Sequence, residues 1–141
     1  MASTREGPEA RGSEDGRKDE PVIVLAEDHE ETRYVLRAVL EQGGYTVAAT
    51  SNGREALDAV ARTEPALVIT DLMMPVLDGV QLARALTDEG GERAVPVILV
   101  SAHATDMDDE SGVEAWFDAV LRKPVRPSDL LAAVHSLLTR I

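Results

Sequence analysis

The chain has 141 residues, enough for one domain and a tail, with 44% hydrophobic and 28% charged residues. Asp and Glu total 26 against 14 Lys and Arg, a formal charge of −12 that argues against direct nucleic-acid binding; one Trp, two Tyr and one Phe are too few for a base-stacking platform. The absence of cysteine excludes disulfides, thiolate zinc sites and thiol nucleophiles, and no apolar run approaches the roughly 18 residues that span a bilayer.

Residues 1–20 hold almost no large apolar side chain and carry nearly balanced charge, so they are predicted to be a disordered tail ahead of a domain over 21–141. No apolar segment follows the first charges, so the start does not read as a secretory signal, and a cytoplasmic location is expected. Val22–Ala26 is a continuous apolar run, as in a strand buried on both faces. Glu30–Gln42 places Val35, Leu36, Val39 and Leu40 at helical spacing and stops at Gly43-Gly44. Tyr45–Ala49 reads as a second strand, and Asn52-Gly53 opens a helix with Ala56, Leu57, Val60 and Ala61 on one face. Ala66–Thr70 is a third strand, Asp78-Gly79 starts a third helix with Leu82, Ala85 and Leu86 inward, and Val95–Val100 is a fourth strand. His103–Trp116 should be a fourth helix by position, but it is acidic and poorly patterned. Ala119–Arg122 is a short fifth strand, and Pro127-Ser128 leads into a last helix with Leu130, Val134, Leu137 and Leu138 inward.

Strands alternating with helices require a parallel sheet covered on both faces, and right-handed crossovers leave few topologies. The expected architecture is α/β: a flavodoxin-like, doubly wound, five-stranded parallel sheet in the order 2-1-3-4-5. Ligands of such sheets bind beyond the carboxyl ends of the strands where the order reverses, here between the first and third strands.

Those strand ends carry Glu27 and Asp28 (first), Asp71 (third), Ser101 (fourth) and Lys123 (fifth). Each has an ordinary alternative reading. Asp28 suits a helix cap with Glu31 at capping-box spacing, Asp71 a turn, Ser101 a cap, and Lys123 a solvated cation. Together they read differently. Three carboxylates about 5 Å apart repel by on the order of 3 kcal/mol per pair at an effective dielectric near 20. A fold keeps such a group when a cation sits among it, and carboxylates without Cys or His suit a hard ion such as Mg²⁺. Lys123 and Ser101 are donors suited to a phosphoryl group, so the set reads as a site where Asp71 accepts phosphoryl beside a metal.

The segments VLAEDHEETR, SNGREAL, VITDLMMPVLDG, VPVILVSA and LRKPV resemble the receiver domain of bacterial two-component response regulators, from Val22 to Leu138. The resemblance implies that Asp71 is phosphorylated, that Glu27, Asp28 and Asp71 hold Mg²⁺ with the backbone carbonyl of Met73, that Ser101 is the switching hydroxyl, and that Lys123 contacts the phosphoryl group. It implies a cis Lys123–Pro124 bond. It also implies a sensor histidine kinase or phosphotransfer protein as donor, an unidentified downstream protein as output, and a homodimer through the face of the fourth helix, fifth strand and last helix. The chain would then catalyse only its own phosphotransfer and dephosphorylation. The chain given ends just after the last helix, so it reads as a receiver either stand-alone or cut from a longer protein.

Two departures matter. Val120 stands three residues before Lys123, where receivers often carry an aromatic that swings inward; valine has no ring to swing, and Trp116 or Phe117 would have to substitute. Met73 and His103 stand two residues after Asp71 and Ser101, positions that in this family flank the path of the attacking water; His103 is given no catalytic role. The competing readings are an Mg²⁺-dependent phosphohydrolase with an Asp nucleophile and a phosphorylation-independent interaction domain of the same fold. Met73 counts against the first, because such hydrolases usually place an acid two residues after the nucleophile.

Overall fold

The structure is a computed structural model and describes residues 20–88, 92–93, 95–102 and 113–139. Nearly all of the expected tail, residues 1–19, and most of the expected fourth helix, 103–112 with His103, lie outside the described residues. In chain order the elements are β1 (Val22–Ala26), α1 (Glu30–Gln42), β2 (Thr46–Thr50), α2 (Gly53–Thr63), β3 (Leu67–Thr70), α3 (Gly79–Ala85), β4 (Val97–Ser101), a 3₁₀ turn (Val113–Trp116), β5 (Ala119–Arg122) and α4 (Pro127–Leu138), which is the last helix of the sequence reading. The strands form one parallel sheet in the expected order β2-β1-β3-β4-β5.

The unbroken apolar runs are explained by the pleat. Alternate residues of each strand serve opposite faces, and both faces are covered. Val24, Ala26, Val68, Val97 and Leu99 pack with Ala56 and Ala59 of α2 and with Leu82 and Ala83 of α3; Ala85, expected inward, is exposed, because the helix turns Ala83 rather than Ala85 toward the sheet. Ile23, Leu25, Ile69, Ile98 and Val100 pack with Leu36 and Leu40 of α1 and with Leu130 and Val134 of α4. Phe117 is buried in the first of these cores, and Val120 packs half-buried against it, so Phe117 is core in this state.

Helix ends follow local chemistry. α1 stops in a Schellman arrangement: Tyr45 donates its backbone N–H to the Leu40 carbonyl at 3.2 Å and Gly44 to Glu41 at 3.1 Å, with Gly44 at φ 99°. Asn52 caps α2 by accepting from the Glu55 N–H at 2.8 Å, and Asp78 with Gln81 forms a complete capping box on α3. The cap of α1 is His29, without a side-chain bond, so the Asp28–Glu31 capping box weighed above does not form. The described end of the expected fourth helix is the 3₁₀ turn, anchored by Arg93. Its guanidinium bonds the Trp116 carbonyl and lies 3.4 Å from Asp118, which accepts the Val97 N–H.

Between β3 and α3 the chain makes a tight γ-turn, Leu77 N–H to Pro75 carbonyl at 2.7 Å, which holds Val76 at φ 72°. A β-branched residue there is strained, and its side chain is 76% exposed, so packing does not offset the strain. Val76→Gly is expected to raise the urea-unfolding free energy by about 1 kcal/mol, because glycine has no Cβ to clash at positive φ; an unchanged or lower midpoint would show that the turn carries no such strain.

Candidate functional site

The hydrogen-bond ladder runs one residue past the strands at the carboxyl edge. Glu27 donates its backbone N–H to Thr50 at 3.1 Å, Asp71 to Ala26 at 2.9 Å, and Lys123 to Ser101 at 3.1 Å. The residues that leave the sheet are therefore still held by it, and their side chains start from fixed points. Carboxylate oxygens of Glu27, Asp28 and Asp71 lie within 4.8 Å of one another. Lys123 Nζ lies 2.7 Å from Glu27 Oε1 and 3.4 Å from Asp71 Oδ2. Ser101 is fully buried at the end of β4, between β3 and β5. The Lys123–Pro124 peptide is cis, as the resemblance implied.

Burial divides the acids. Glu27 is 1% exposed, Asp71 half-buried and Asp28 exposed. Burial is the largest influence and, aided by the nearby Asp71 charge, pushes the Glu27 carboxyl above its ordinary value of 4.5, against the bond from Lys123 and that from the His29 N–H. Burial also pulls Lys123 down, but the Glu27 hydrogen bond and the Asp71 and Glu27 charges outweigh it and hold the ammonium above its ordinary 10.5. Both shifts are upward, so both contributions to stability are lost as pH rises: that of Glu27 is full below 4.5 and fades through its raised folded value, and that of Lys123 is full below 10.5 and fades above it. In metal-free buffer, the stability of the unaltered chain relative to Glu27→Gln should therefore fall as pH rises from 4.5 toward neutrality, as read by urea unfolding at each pH.

One ammonium does not balance three carboxylates, and the clustered donors are all oxygen. The His29 ring lies 3.2 Å from the Thr32 hydroxyl. This donor set fits a hard divalent cation, as Mg²⁺ is bound elsewhere.

Four further contacts shape the site, and the sequence pattern does not announce them. Thr70, fully buried, donates its hydroxyl to the Asp71 carbonyl at 2.8 Å, and Leu72 donates its N–H to Asp71 Oδ1 at 2.8 Å. Gly79 packs against the same carbonyl, where a Cβ would collide with the Asp71 oxygen. Arg33 donates to the Glu27 carbonyl at 2.9 Å. Asp78-Gly79 and Arg33 belong to the segments that carry the family resemblance, but the sequence assigns the pair no role beyond a helix start and assigns Arg33 none.

A family model for the response regulator receiver domain matches residues 23–135. Response regulator MprA of Mycolicibacterium vanbaalenii is 36% identical over 118 residues, which are 84% of this chain and 50% of that protein; the chain spans about half the length of the curated relatives it matches. The signal receiver domain of a signal transduction histidine kinase from Syntrophus aciditrophicus is 33% identical with a TM-score of 0.75, over 84% of this chain and 90% of that one. The receiver domain of a sensor histidine kinase from Pseudomonas aeruginosa PAO1, solved with a magnesium ion coordinated in its active-site cleft, is 27% identical with a TM-score of 0.76, over 86% and 99%. Among the described residues no helix is long and apolar enough to cross a membrane. With the strand order and the acidic edge in place beside these matches, the chain belongs to the family of response regulator receiver domains of two-component signalling.

Proposed function

We propose that Asp71 is the phosphoryl acceptor of a two-component switch and that phosphorylation alters the surface around β5 and α4 for a downstream protein. The observation that carries this reading is the placement of the Asp71 carboxylate within 4.8 Å of two other acids and 3.4 Å from the Lys123 ammonium, at the point where strand order reverses. Glu27, Asp28 and Asp71, with the Met73 carbonyl, would hold Mg²⁺, whose charge would neutralise phosphoryl oxygens. In the transfer from a histidine kinase the N–P bond of phosphohistidine breaks and an O–P bond to an Asp71 oxygen forms. Leu72 N–H holds Oδ1 and Thr70 holds the carbonyl behind it, so the nucleophile is aimed before the donor arrives. Lys123 pairs with a transferred oxygen, and Ser101 turns toward another, biasing the loops that follow β4 and β5.

The test is incubation with Mg²⁺ and acetyl phosphate or phosphoramidate, followed by intact mass and peptide mapping. One phosphoryl group on the Asp71 peptide, absent with chelator, is the expected result. A phosphoryl group elsewhere, or none, would overturn the assignment.

Met73, two residues after Asp71, is 62% exposed and apolar at the position that the family resemblance puts beside the path of the attacking water. Met73→Asn supplies a polar group that orients water, so decay of the phosphoprotein should quicken by roughly two- to tenfold. Unchanged or slower decay would remove Met73 from the control of lifetime.

A further inference from the structure

Asp28 is the exposed member of the acidic cluster, so packing does not hold its side chain in place. Its direction depends on the backbone that delivers it. The peptide joining Glu27 to Asp28 is planar and rigid, so fixing its carbonyl fixes how the chain leaves β1. That carbonyl accepts Arg33 Nη1 at 2.9 Å, while the N–H of Glu27 is held by Thr50 at 3.1 Å. Arg33 itself is half-buried, so its guanidinium reaches the carbonyl from within the start of α1 rather than from open solvent. The guanidinium therefore ties the start of α1 to the one peptide that aims Asp28.

From this geometry we infer that Arg33 is a positioning residue for the acidic cluster, and that its bond to the Glu27 carbonyl sets the affinity of the cluster for a divalent cation. This rests on the cation site proposed above. Charge and positioning predict opposite signs. Arg33 is a cation close to a cation site, so if it acted by charge alone its removal would tighten metal binding. If it acts by positioning, its removal weakens binding, and partners that orient metal ligands typically change affinity by about 10- to 100-fold.

The experiment titrates MgCl₂ into the unaltered chain, Arg33→Met and Arg33→Lys, following the backbone amide shifts of residues 27–29 and 71–72 by NMR, at low salt and at salt high enough to screen surface charge. Circular dichroism and melting in metal-free buffer report the fold. Weakening of about tenfold in Arg33→Met at both salt levels, with most of the affinity regained in Arg33→Lys, is expected. Should the Met chain not fold, Arg33→Gln, too short to reach the carbonyl, takes its place with the same expectation. Equal or tighter binding without the guanidinium, or a lower melting temperature with unchanged affinity, overturns the role of Arg33 alone. Failure of the unaltered chain to bind Mg²⁺ overturns the cation site and this inference with it.

Discussion

An Asp71→Asn chain is expected to take up no phosphoryl group and to melt higher than the unaltered protein in metal-free buffer. The first effect is chemical: an amide is not a phosphoryl nucleophile, and Glu27, the other described carboxylate beside Lys123, is 1% exposed and out of reach of a donor. The second effect is electrostatic. Glu27 and Asp28 lie within 4.8 Å of Asp71, and each repels it by roughly 3 kcal/mol at an effective dielectric of 20, while Lys123 at 3.4 Å attracts it by roughly 5 kcal/mol. The attraction offsets most, but not all, of the repulsion, and the exposure of Asp28 screens what is left. A net gain of about 1 kcal/mol remains, or roughly 4 °C. The substituted amide oxygen can still accept the Leu72 N–H, so the loop keeps its anchor. Added Mg²⁺ should raise the melting temperature of the unaltered chain by mass action and that of the variant much less. Calorimetry with and without MgCl₂ checks both signs. A variant that melts lower, or that is phosphorylated at the normal rate, would contradict the picture of a strained acidic acceptor.

The same charges explain why the site was legible in the sequence. Runs such as VIVLA and ALVIT alternate with helical segments, and that pattern alone requires a parallel sheet with one edge presenting every strand end. Once the order 2-1-3-4-5 is assumed, Glu27, Asp28, Asp71 and Lys123 must converge, and they do. Strand boundaries moved by only a residue or two, where local bonding decides. β2 begins at Thr46 because the Tyr45 N–H is used to close α1, and β4 begins at Val97 because Pro96 has no N–H to give a ladder.

What the sequence did not reveal is held by backbone atoms. Arg33 reaches a carbonyl, Thr70 reaches a carbonyl, and Gly79 matters for the Cβ it lacks. Composition and periodicity report which side chains are apolar, not where a peptide oxygen points. The poor patterning of His103–Trp116 did carry information. Its described end, Val113–Trp116, is a 3₁₀ turn tied to β4 through Arg93 and Asp118, a long-range ion pair that no local pattern announces.

Gly79→Ala should therefore do more damage than its one methyl suggests. Gly79 is the first residue of α3, and its N–H is fixed on the Leu72 carbonyl at 2.8 Å. An added Cβ would overlap the Asp71 carbonyl oxygen and lie 3.1 Å from Leu72 Cα. The obstacle is backbone, not the far end of a flexible side chain, and the Asp71 oxygen is already held by the Thr70 hydroxyl. Either α3 moves off the sheet or the acceptor moves out of line. Overpacking of this kind costs about 1–3 kcal/mol, and displacement of a reacting group by about 1 Å can slow a transfer by about 100-fold. Gly44→Ala is the matched control. Gly44 has φ 99°, so alanine is strained there, but its Cβ would enter open space at the end of α1. Both variants should lose stability in urea, while only Gly79→Ala should lose the rate of phosphoryl uptake from acetyl phosphate, measured by intact mass under conditions where both chains are folded. Equal rates in the two would mean that the loop after β3 does not aim Asp71, and the role given to its backbone clamps would have to be withdrawn.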